Sequence, residues 1–260
     1  MALKYSGLKE KDLEYMTFVL RNGVVTAKQI KLKFREPNLS RVYRRLQKLE
    51  DRGYLKHERV AHKVGVYYGT QDARDIANVS ATIPQKATIY TMQHELLMTD
   101  LILFYEFQAE KKGVTFRYKS EREIRFEMIG EGDNQSKLKA FNEKRDRIPD
   151  AVFFFILPNN QETTTWVELE LNKKDRKRYE EKFKLFEDLL SGKKHEDYRY
   201  AFDQVMYFAD EIKIHKLVNE AKQKLVNGMK IVVKDIPSVV LDENWDEVMS
   251  SGRTSHDEAK

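Results

Sequence analysis

The sequence of 260 residues predicts a mixed chain of the α+β or α/β class with two domains. The first observation behind this prediction is that residues 1–75 show three helical patterns followed by two short strand patterns. The second is that strand-like and helix-like segments alternate over residues 87–241, which is typical of an α/β layered domain with a mixed sheet. Residues 76–86 are predicted to link the domains, and residues 242–260 to form a polar tail.

Apolar spacing and capping residues define the helices of the N-terminal domain. The three segments are LEYMTFVLRNG, TAKQIKLKF and NLSRVYRRLQKLEDRG. Thr26 and Gln29 have the spacing of a capping box. Asn38 or Ser40 can cap the third helix, and Gly53 is suited to end it. YLKHERVAHKVGVYYGT then predicts two strands around a basic loop. Helix, helix, basic helix and β-wing is the order of a winged helix-turn-helix, which favours DNA binding.

Positive charge is concentrated in this same segment. Residues 1–70 contain 16 Lys and Arg against 7 Asp and Glu, a net charge of +9, whereas the whole chain carries +5 and the remainder −4. Binding to phosphates requires such an excess. The alternative is a solvated basic face or a protein contact. The predicted DNA-binding residues, from the third helix and the wing, are Ser40, Arg41, Arg44, Arg45, Lys48, His62 and Lys63.

Composition limits the class of protein further. The absence of cysteine excludes a disulfide scaffold and a zinc site with cysteine ligands. MALKYSGLKEKDLEY has no apolar core of the kind found in signal peptides. LLMTDLILFYEF, the most apolar helical stretch, is short and contains two acids. We therefore expect a cytoplasmic protein without a membrane partner.

The second domain is predicted to begin with a long helix over residues 87–112, ended by Gly113. VTFRYKS, EREIRFEMIG, AVFFFIL, WVELEL, DQVMYFAD and MKIVVKDI are predicted strands. Two further helices are predicted over residues 175–190 and 211–226. GEGDNQSKLKAFNEKRDR is predicted to be a long polar loop and PNNQETTT a turn.

Three carboxylates are expected to meet in this domain. Asp150 opens the AVFFFIL strand, and Glu168 and Glu170 lie two residues apart on the next strand. If these strands are antiparallel neighbours, the three acids approach one another and repel unless a cation lies between them. Oxygen ligands suit Mg²⁺ or Mn²⁺, so all three are candidate metal ligands and catalytic residues. Lys173 or Lys174 would supply a positive charge beside them.

Pro149-Asp150, Glu168-Leu-Glu170 and the two lysines resemble the motif of the PD-(D/E)XK nuclease-like superfamily, over roughly residues 87–240. The superfamily places a lysine two residues after the acid, where this chain has Glu170. The resemblance implies either a metal-dependent nuclease site or a degenerate binding fold of the same architecture. A third interpretation is that the acids simply lie on the solvated face of a strand.

The whole chain also resembles the replication-relaxation proteins of plasmids and other mobile elements, which join a winged helix to a nuclease-like domain. The segments that carry the resemblance are LKEKDLEYM, the wing with YYGT, the helix with HELL and Asp100, SEREIRF, RIPDAVF, VELELNKK and EEKFKLFEDLL. The resemblance implies a role in plasmid replication, DNA relaxation or mobilisation.

The leading hypothesis is a sequence-specific protein that binds double-stranded DNA of a mobile element as a homodimer, with a degenerate second domain. It needs no cofactor for DNA binding, and a replication initiator or relaxase is a candidate partner. One alternative is a Mg²⁺- or Mn²⁺-dependent endonuclease or nickase guided by the winged helix. The other is a transcriptional regulator whose second domain senses a ligand or peptide.

Overall fold

The computed structural model describes residues 7–60, 64–84, 89–129, 147–191, 198 and 201–241. These residues form two compact units. The first contains the described residues up to Leu103 together with residues 238–241, and the second contains those of Phe104–Pro237. Helices and strands are mixed in both units, which confirms the predicted α+β or α/β class at that level.

The first unit contains the five predicted elements in the predicted order, together with a short strand between the first two helices that was not predicted. Helices α1, α2 and α3 span Glu10–Asn22, Ala27–Phe34 and Leu39–Asp51. Strands β1, β2 and β3 span Val24–Thr26, Leu55–Val60 and Val64–Gly69. The strands pair antiparallel in the order β1-β3-β2. The three predicted helices and the two predicted strands are thus confirmed as elements.

Local capping explains where these helices begin and end. Thr26 Oγ1 accepts a hydrogen bond from Gln29 N at 3.2 Å, and Gln29 Oε1 accepts one from Thr26 N at 2.9 Å, so the predicted capping box is present. Asn38 caps α3 by accepting from Arg41 N at 3.0 Å. Gly53 follows α3 with φ +75°, a conformation that glycine adopts without strain.

Gln29 also joins α2 to the N-terminal part of a later helix, which lies in the same unit. That helix, α5, spans Ile89–Lys111, close to the predicted 87–112, and Gly113 follows it with φ +65°. The side-chain amide of Gln29 donates to Asp100 Oδ1 at 2.7 Å and to the carbonyl of Leu96 at 2.9 Å. A buried amide that satisfies both ends in this way fixes α2 against α5.

Helix α4, which spans Gln71–Ala77, lies between β3 and α5 in the chain. The loss of periodicity after Thr70 predicts a linker over residues 71–86 that contains one helical turn. The side chain of Thr70 caps the helix by accepting from Ala73 N at 3.3 Å, and the methyl group of Ala73 is fully buried. A single buried alanine gives no visible apolar periodicity, which is why the pattern missed this helix.

The second unit is built on a mixed sheet, as predicted, but the described residues form five of the six predicted strands. Its strands are β4 Thr115–Ser120, β5 Ala151–Ile156, β6 Glu162–Glu170, β7 Gln204–Ala209 and β8 Ile231–Lys234. The order is β4-β5-β6-β7-β8. Strands β4, β5 and β6 are antiparallel neighbours, whereas β6, β7 and β8 run parallel. Its helices α6, α7 and α8 span Glu121–Ile129, Arg176–Leu190 and Ile212–Lys222, and a short α9 at Ser238–Leu241 belongs to the first unit.

Helix α6 corrects the sequence prediction, which made residues 121–130 a strand. Ser120 N donates to Glu123 Oε2 at 3.0 Å and Ser120 Oγ accepts from Glu123 N at 3.4 Å, which is a capping box. Arg125 pairs with Glu121 one turn away. The alternation of charged and apolar residues in EREIRFEM imitates a strand, but the Ser-x-x-Glu start selects the helix.

The predicted turn PNNQETTT is also shorter than expected. Leu157 N donates to the carbonyl of Gln161 at 2.9 Å, and Asn160 adopts φ +62° within this tight connection. Strand β6 therefore begins at Glu162, and the three threonines pair with β5. The predicted polar loop over residues 130–147 lies outside the described residues except for Arg147, as does the polar tail over 242–260.

Aromatic side chains pack both faces of the second sheet. On one face Trp166 contacts Phe186 of α7 at 5.8 Å between ring centroids. On the other, Tyr105 of α5 contacts Phe153 at 5.4 Å and Phe208 at 5.8 Å. Burial of such rings is the main stabilising contribution to the sheet. None of the helices in the described ranges is both long and apolar enough to span a bilayer.

Candidate nucleic-acid interface and carboxylate cluster

The third helix presents one apolar and one polar face, as its spacing predicts. Val42, Leu46 and Leu49 are fully buried. The exposed side chains of α3 are polar or aromatic, and they include Ser40, Arg41, Tyr43, Arg44 and Gln47. A rigid helix with an anchored apolar face and an exposed basic face is suited to enter a DNA major groove.

Two of the predicted DNA-binding residues, Arg45 and Lys48, form ion pairs within the first unit. Arg45 Nη1 lies 2.5 Å from Asp12 Oδ1, and Lys48 Nζ lies 2.7 Å from Asp12 Oδ2. The Asp12 side chain of α1 is fully buried and also accepts from Lys9 N at 2.9 Å. Burial alone would raise the pKa of this carboxyl, but Lys48, the Lys9 amide and Arg45 together lower it below its ordinary value.

Arg41 contributes to both the fold and the exposed face. Its guanidinium Nε lies 3.4 Å from Glu36 Oε2, and 62% of the side chain stays exposed. Glu36 also accepts from the hydroxyl of Tyr15 at 2.8 Å. Burial raises the pKa of Tyr15, and Glu36 raises it further, so this phenol is a neutral donor. Arg41 can therefore turn toward a phosphate only by leaving a partner that Tyr15 continues to bind.

Arg44 is a basic side chain on the exposed face of α3. Within the part of the chain that the structure describes, it makes no ion pair. Ser40 lies one turn before it and is also exposed, whereas the predicted wing contacts His62 and Lys63 lie outside the described residues. Sequence reasoning missed Tyr43 and Gln47, which the helical period places beside Arg44. It also missed Lys56 and Arg59, two exposed cations of β2.

A second candidate site lies where β5 begins beside the end of β6. Ala151 pairs with Val167, so Asp150 is adjacent to the Glu168-Leu-Glu170 segment, as predicted. Asp150 Oδ2 accepts from Leu169 N at 2.7 Å. Glu168 and Glu170 are each only 6% exposed. The interpretation of these glutamates as solvated strand acids is therefore wrong.

Each buried glutamate has its own lysine. Lys182 Nζ of α7 donates to Glu168 Oε2 at 2.6 Å, and Trp166 Nε1 donates to Glu168 Oε1 at 2.5 Å. Lys174 Nζ lies 2.6 Å from Glu170 Oε2, which also accepts from the hydroxyl of Tyr207 at 3.2 Å. The predicted candidate Lys174 is thus at the cluster. The other candidate, Lys173, is exposed.

Sequence reasoning missed Lys182, although a signal for it exists. Tyr179, Lys182, Phe183 and Phe186 recur at three- and four-residue spacing, so Lys182 lies beside the apolar face of α7. A lysine at the margin of a buried face, near a strand that carries two glutamates, is a candidate for a buried ion pair.

The protonation of this cluster follows from burial and mutual charge. Burial raises the pKa of the Glu168 carboxyl above its ordinary value, Lys182 partly opposes this, and Asp150 adds to it. Burial also lowers the pKa of the Lys182 ammonium, but Glu168, Asp150 and Glu170 outweigh this and leave the pKa raised. The charge of Lys182 therefore offsets that of Glu168, and the neighbouring carboxylates Asp150 and Glu170 further stabilise the ammonium.

The donor atoms are of the type that Mg²⁺ prefers, but their placement does not fit a metal. Both Glu168 oxygens are engaged, one by Trp166 and the other by Lys182, so a cation would have to displace an ammonium. Across the described ranges, no three His, Cys, Asp or Glu side chains lie close enough together to hold an ion. Metal ligation by Asp150, Glu168 and Glu170 thus stays a prediction from the sequence.

Comparisons with protein-family models, with curated proteins and with solved structures give no significant match to this chain. The functional argument therefore depends on the two sites themselves.

Proposed function

We propose that this protein binds double-stranded DNA through the exposed face of α3, as a winged helix-turn-helix in which β2 and β3 form the wing. The observation that carries the proposal is the exposed Arg44, which has no ion-pair partner among the described residues and lies on a helix whose opposite face is fully buried. Ser40 and Arg41 lie beside it, and Lys56 and Arg59 add positive charge on β2. This arrangement matches the way such helices contact base edges and phosphates.

The biological setting that we propose is a plasmid or another mobile element. The support is the resemblance of the sequence to replication-relaxation proteins. This resemblance implies a role in replication, DNA relaxation or mobilisation. A homodimer and a replication initiator or relaxase as partner belong to the same proposal. The second unit would act as a scaffold of the PD-(D/E)XK type without catalysis, because Lys182 and Lys174 already compensate the charges of Glu168 and Glu170.

Replacing Arg44 with alanine tests the DNA-binding surface. We expect the affinity for duplex DNA to fall roughly tenfold at matched salt, because one charge-assisted contact to a base or phosphate is lost. The stability of the chain should not change, since this side chain is exposed. The measurement is fluorescence anisotropy, first with a mixed-sequence duplex and then with a duplex enriched from a random library, over a series of salt concentrations.

The matched control is Arg178→Ala, which removes one exposed arginine from α7 in the second unit. It changes the net charge as much as Arg44→Ala does, but it lies outside α3. Its affinity for DNA should therefore stay within about twofold of that of the unchanged protein. If neither variant loses affinity relative to the unchanged protein, or if both lose it equally, α3 is not the DNA-contacting element.

The competing hypothesis is a metal-dependent endonuclease or nickase. It is favoured by the proximity of Asp150 to Glu168 and Glu170, and opposed by the lysines on both glutamates. Incubation of the protein with supercoiled plasmid in Mn²⁺ separates the two hypotheses. We expect band retardation without nicking; nicking that Glu168→Ala abolishes would establish the enzyme instead.

A further inference from the structure

A cavity of about 520 Å³ lies in the second unit, on the face of the sheet that α5 covers. Side chains from the C-terminal half of α5 and from strands β5, β6, β7 and β8 line it. Sites for small organic ligands typically have volumes of about 300–1,000 Å³. This cavity lies on the opposite face of the sheet from Glu168 and Lys182, so it is separate from the carboxylate cluster.

Aromatic rings form much of the apolar wall of this cavity. Phe104, Tyr105 and Phe155 line it, with Met206. The Tyr105 ring lies 5.5 Å from Phe104 and 6.2 Å from Phe155 between centroids, with the rings edge to face in both pairs. Partly buried aromatic rings and a buried methionine offer a surface on which a planar ring can pack.

Two lysines, Lys112 and Lys234, give the cavity a positive charge. Among the described residues that line it there is no aspartate or glutamate. Lys234 Nζ donates to the hydroxyl of Tyr105 at 3.2 Å and lies 5.4 Å from the centroid of that ring. Because Lys112 and Lys234 line the same cavity, their like charges repel, and a bound anion would offset this repulsion.

The electrostatics of Lys234 agree with this geometry. Burial lowers the pKa of its ammonium, and the positive charge of Lys112 lowers the pKa further. Gln108, Thr163 and Gln204 add neutral hydrogen-bonding groups to the wall. An apolar cavity with a few convergent polar groups is the usual composition of a ligand site.

We propose that this cavity binds a small organic anion with a planar aromatic ring, whose phosphate or carboxylate lies between Lys112 and Lys234. The ring packs on Phe104, Tyr105 and Phe155. The proposal concerns the second unit alone, so it does not depend on DNA binding by α3. If both hold, the second unit is a ligand-responsive element attached to a DNA-binding unit.

Isothermal titration of the full chain tests the proposal with two probe classes. Nucleoside monophosphates represent aromatic phosphates, and naphthoate represents aromatic carboxylates. Inorganic phosphate and an uncharged nucleoside are the controls that lack the ring or the anion. We expect one of the two classes to bind more than roughly tenfold tighter than either control, because ring and anion contribute together. The class that binds identifies the anionic group.

Variants then locate the binding. Lys234→Met and Lys112→Met should each weaken the bound probe roughly tenfold or more, since each removes a charge-assisted contact. Lys216→Met, an exposed lysine on α8 outside the cavity, should leave the affinity unchanged. Thr163→Phe fills the cavity from β6 and should abolish binding, with circular dichroism confirming that the fold persists.

Absence of binding in both classes would overturn the proposal. Binding that Lys234→Met, Lys112→Met and Thr163→Phe all leave unchanged, in variants that remain folded, would overturn the assignment to this cavity. Neither result bears on the affinity of Arg44→Ala for DNA, so the two proposals fail separately.

Discussion

Lys182→Met should lower the free energy of unfolding by about 3 kcal/mol, measured by urea denaturation at neutral pH. Methionine keeps most of the apolar stem but removes the ammonium that lies 2.6 Å from Glu168 Oε2. At neutral pH the Glu168 carboxyl must then either stay charged with Trp166 as its donor and Asp150 nearby, or take up a proton. Leaving a buried charge without its partner is among the costliest single substitutions, and the 22% exposure of Lys182 keeps the value at the lower end of the range.

A double-mutant cycle isolates the ion pair from other effects. Glu168→Gln in the Lys182→Met background should recover about 2 kcal/mol, because the amide oxygen still accepts from Trp166 and position 168 no longer carries a charge. The control is Lys184→Met, an exposed lysine of the same helix, which should change stability by less than about 0.5 kcal/mol. Additive effects of the two substitutions would show that the ion pair contributes nothing to the fold.

The pH dependence of this destabilisation has a definite sign. A carboxyl whose pKa is raised in the folded state binds its proton more tightly there than in the unfolded chain. Its stabilising contribution is therefore complete below its ordinary value of 4.5 and declines as the pH rises through the raised pKa. Lys182→Met removes the group that opposes this rise, so its stability should approach that of the unchanged protein at pH 5 and differ most at pH 8.

Local signals made most of the fold predictable. Thr26 and Gln29 specify the start of α2 through bonds within three residues, and Gly53 and Gly113 end helices through their backbone freedom. The same kind of signal, Ser120 with Glu123, is present at the start of α6, but the prediction of a strand there followed the alternating pattern alone. Hydrophobic periodicity is weak in a short, partly exposed helix, whereas a cap is set by the backbone and survives exposure.

In the candidate sites, too, some contacts were predictable from the sequence and others were not. The approach of Asp150 to Glu168 and Glu170 follows from strand pairing and was predictable from the sequence. The partners of Glu168 and of Asp12 were not, because Lys182 and Arg45 reach them across 14 and 33 residues of chain. Such contacts depend on how helices pack, and a sequence that shows a basic face does not show which cations are already neutralised.

The assignment of Arg45 and Lys48 to the fold leads to the second large effect, at Asp12. Asp12→Ala should lower the free energy of unfolding by about 3 kcal/mol. It removes the acceptor of the Lys9 amide at the start of α1 and leaves Arg45 and Lys48 without the carboxylate between them. Glu14→Gln on the same helix is the control, because its pair with Lys11 is exposed and contributes little.

Asp12→Asn separates the charge from the cap, since the amide oxygen can still accept from Lys9 N. The folded-state pKa of Asp12 is lowered, so the charge stabilises the fold above the ordinary value of 3.8, and this stabilisation is lost as the pH falls through the lowered pKa. The stability difference between the unchanged protein and Asp12→Asn should therefore shrink on acidification below pH 4. A difference that stays constant down to pH 2 would assign the effect to packing.

Measuring both the free energy of unfolding and the affinity for DNA separates structural from DNA-contacting cations on α3. Arg45→Ala should reproduce part of the stability loss of Asp12→Ala, because both break the contact between Arg45 and Asp12. Once the affinity is corrected for the folded fraction, this variant should bind DNA nearly as well as the unchanged protein. Arg44→Ala should behave in the opposite way, with normal stability and weakened binding. If Arg45→Ala instead loses affinity at full stability, the ion pair with Asp12 opens on DNA and Arg45 belongs to the interface.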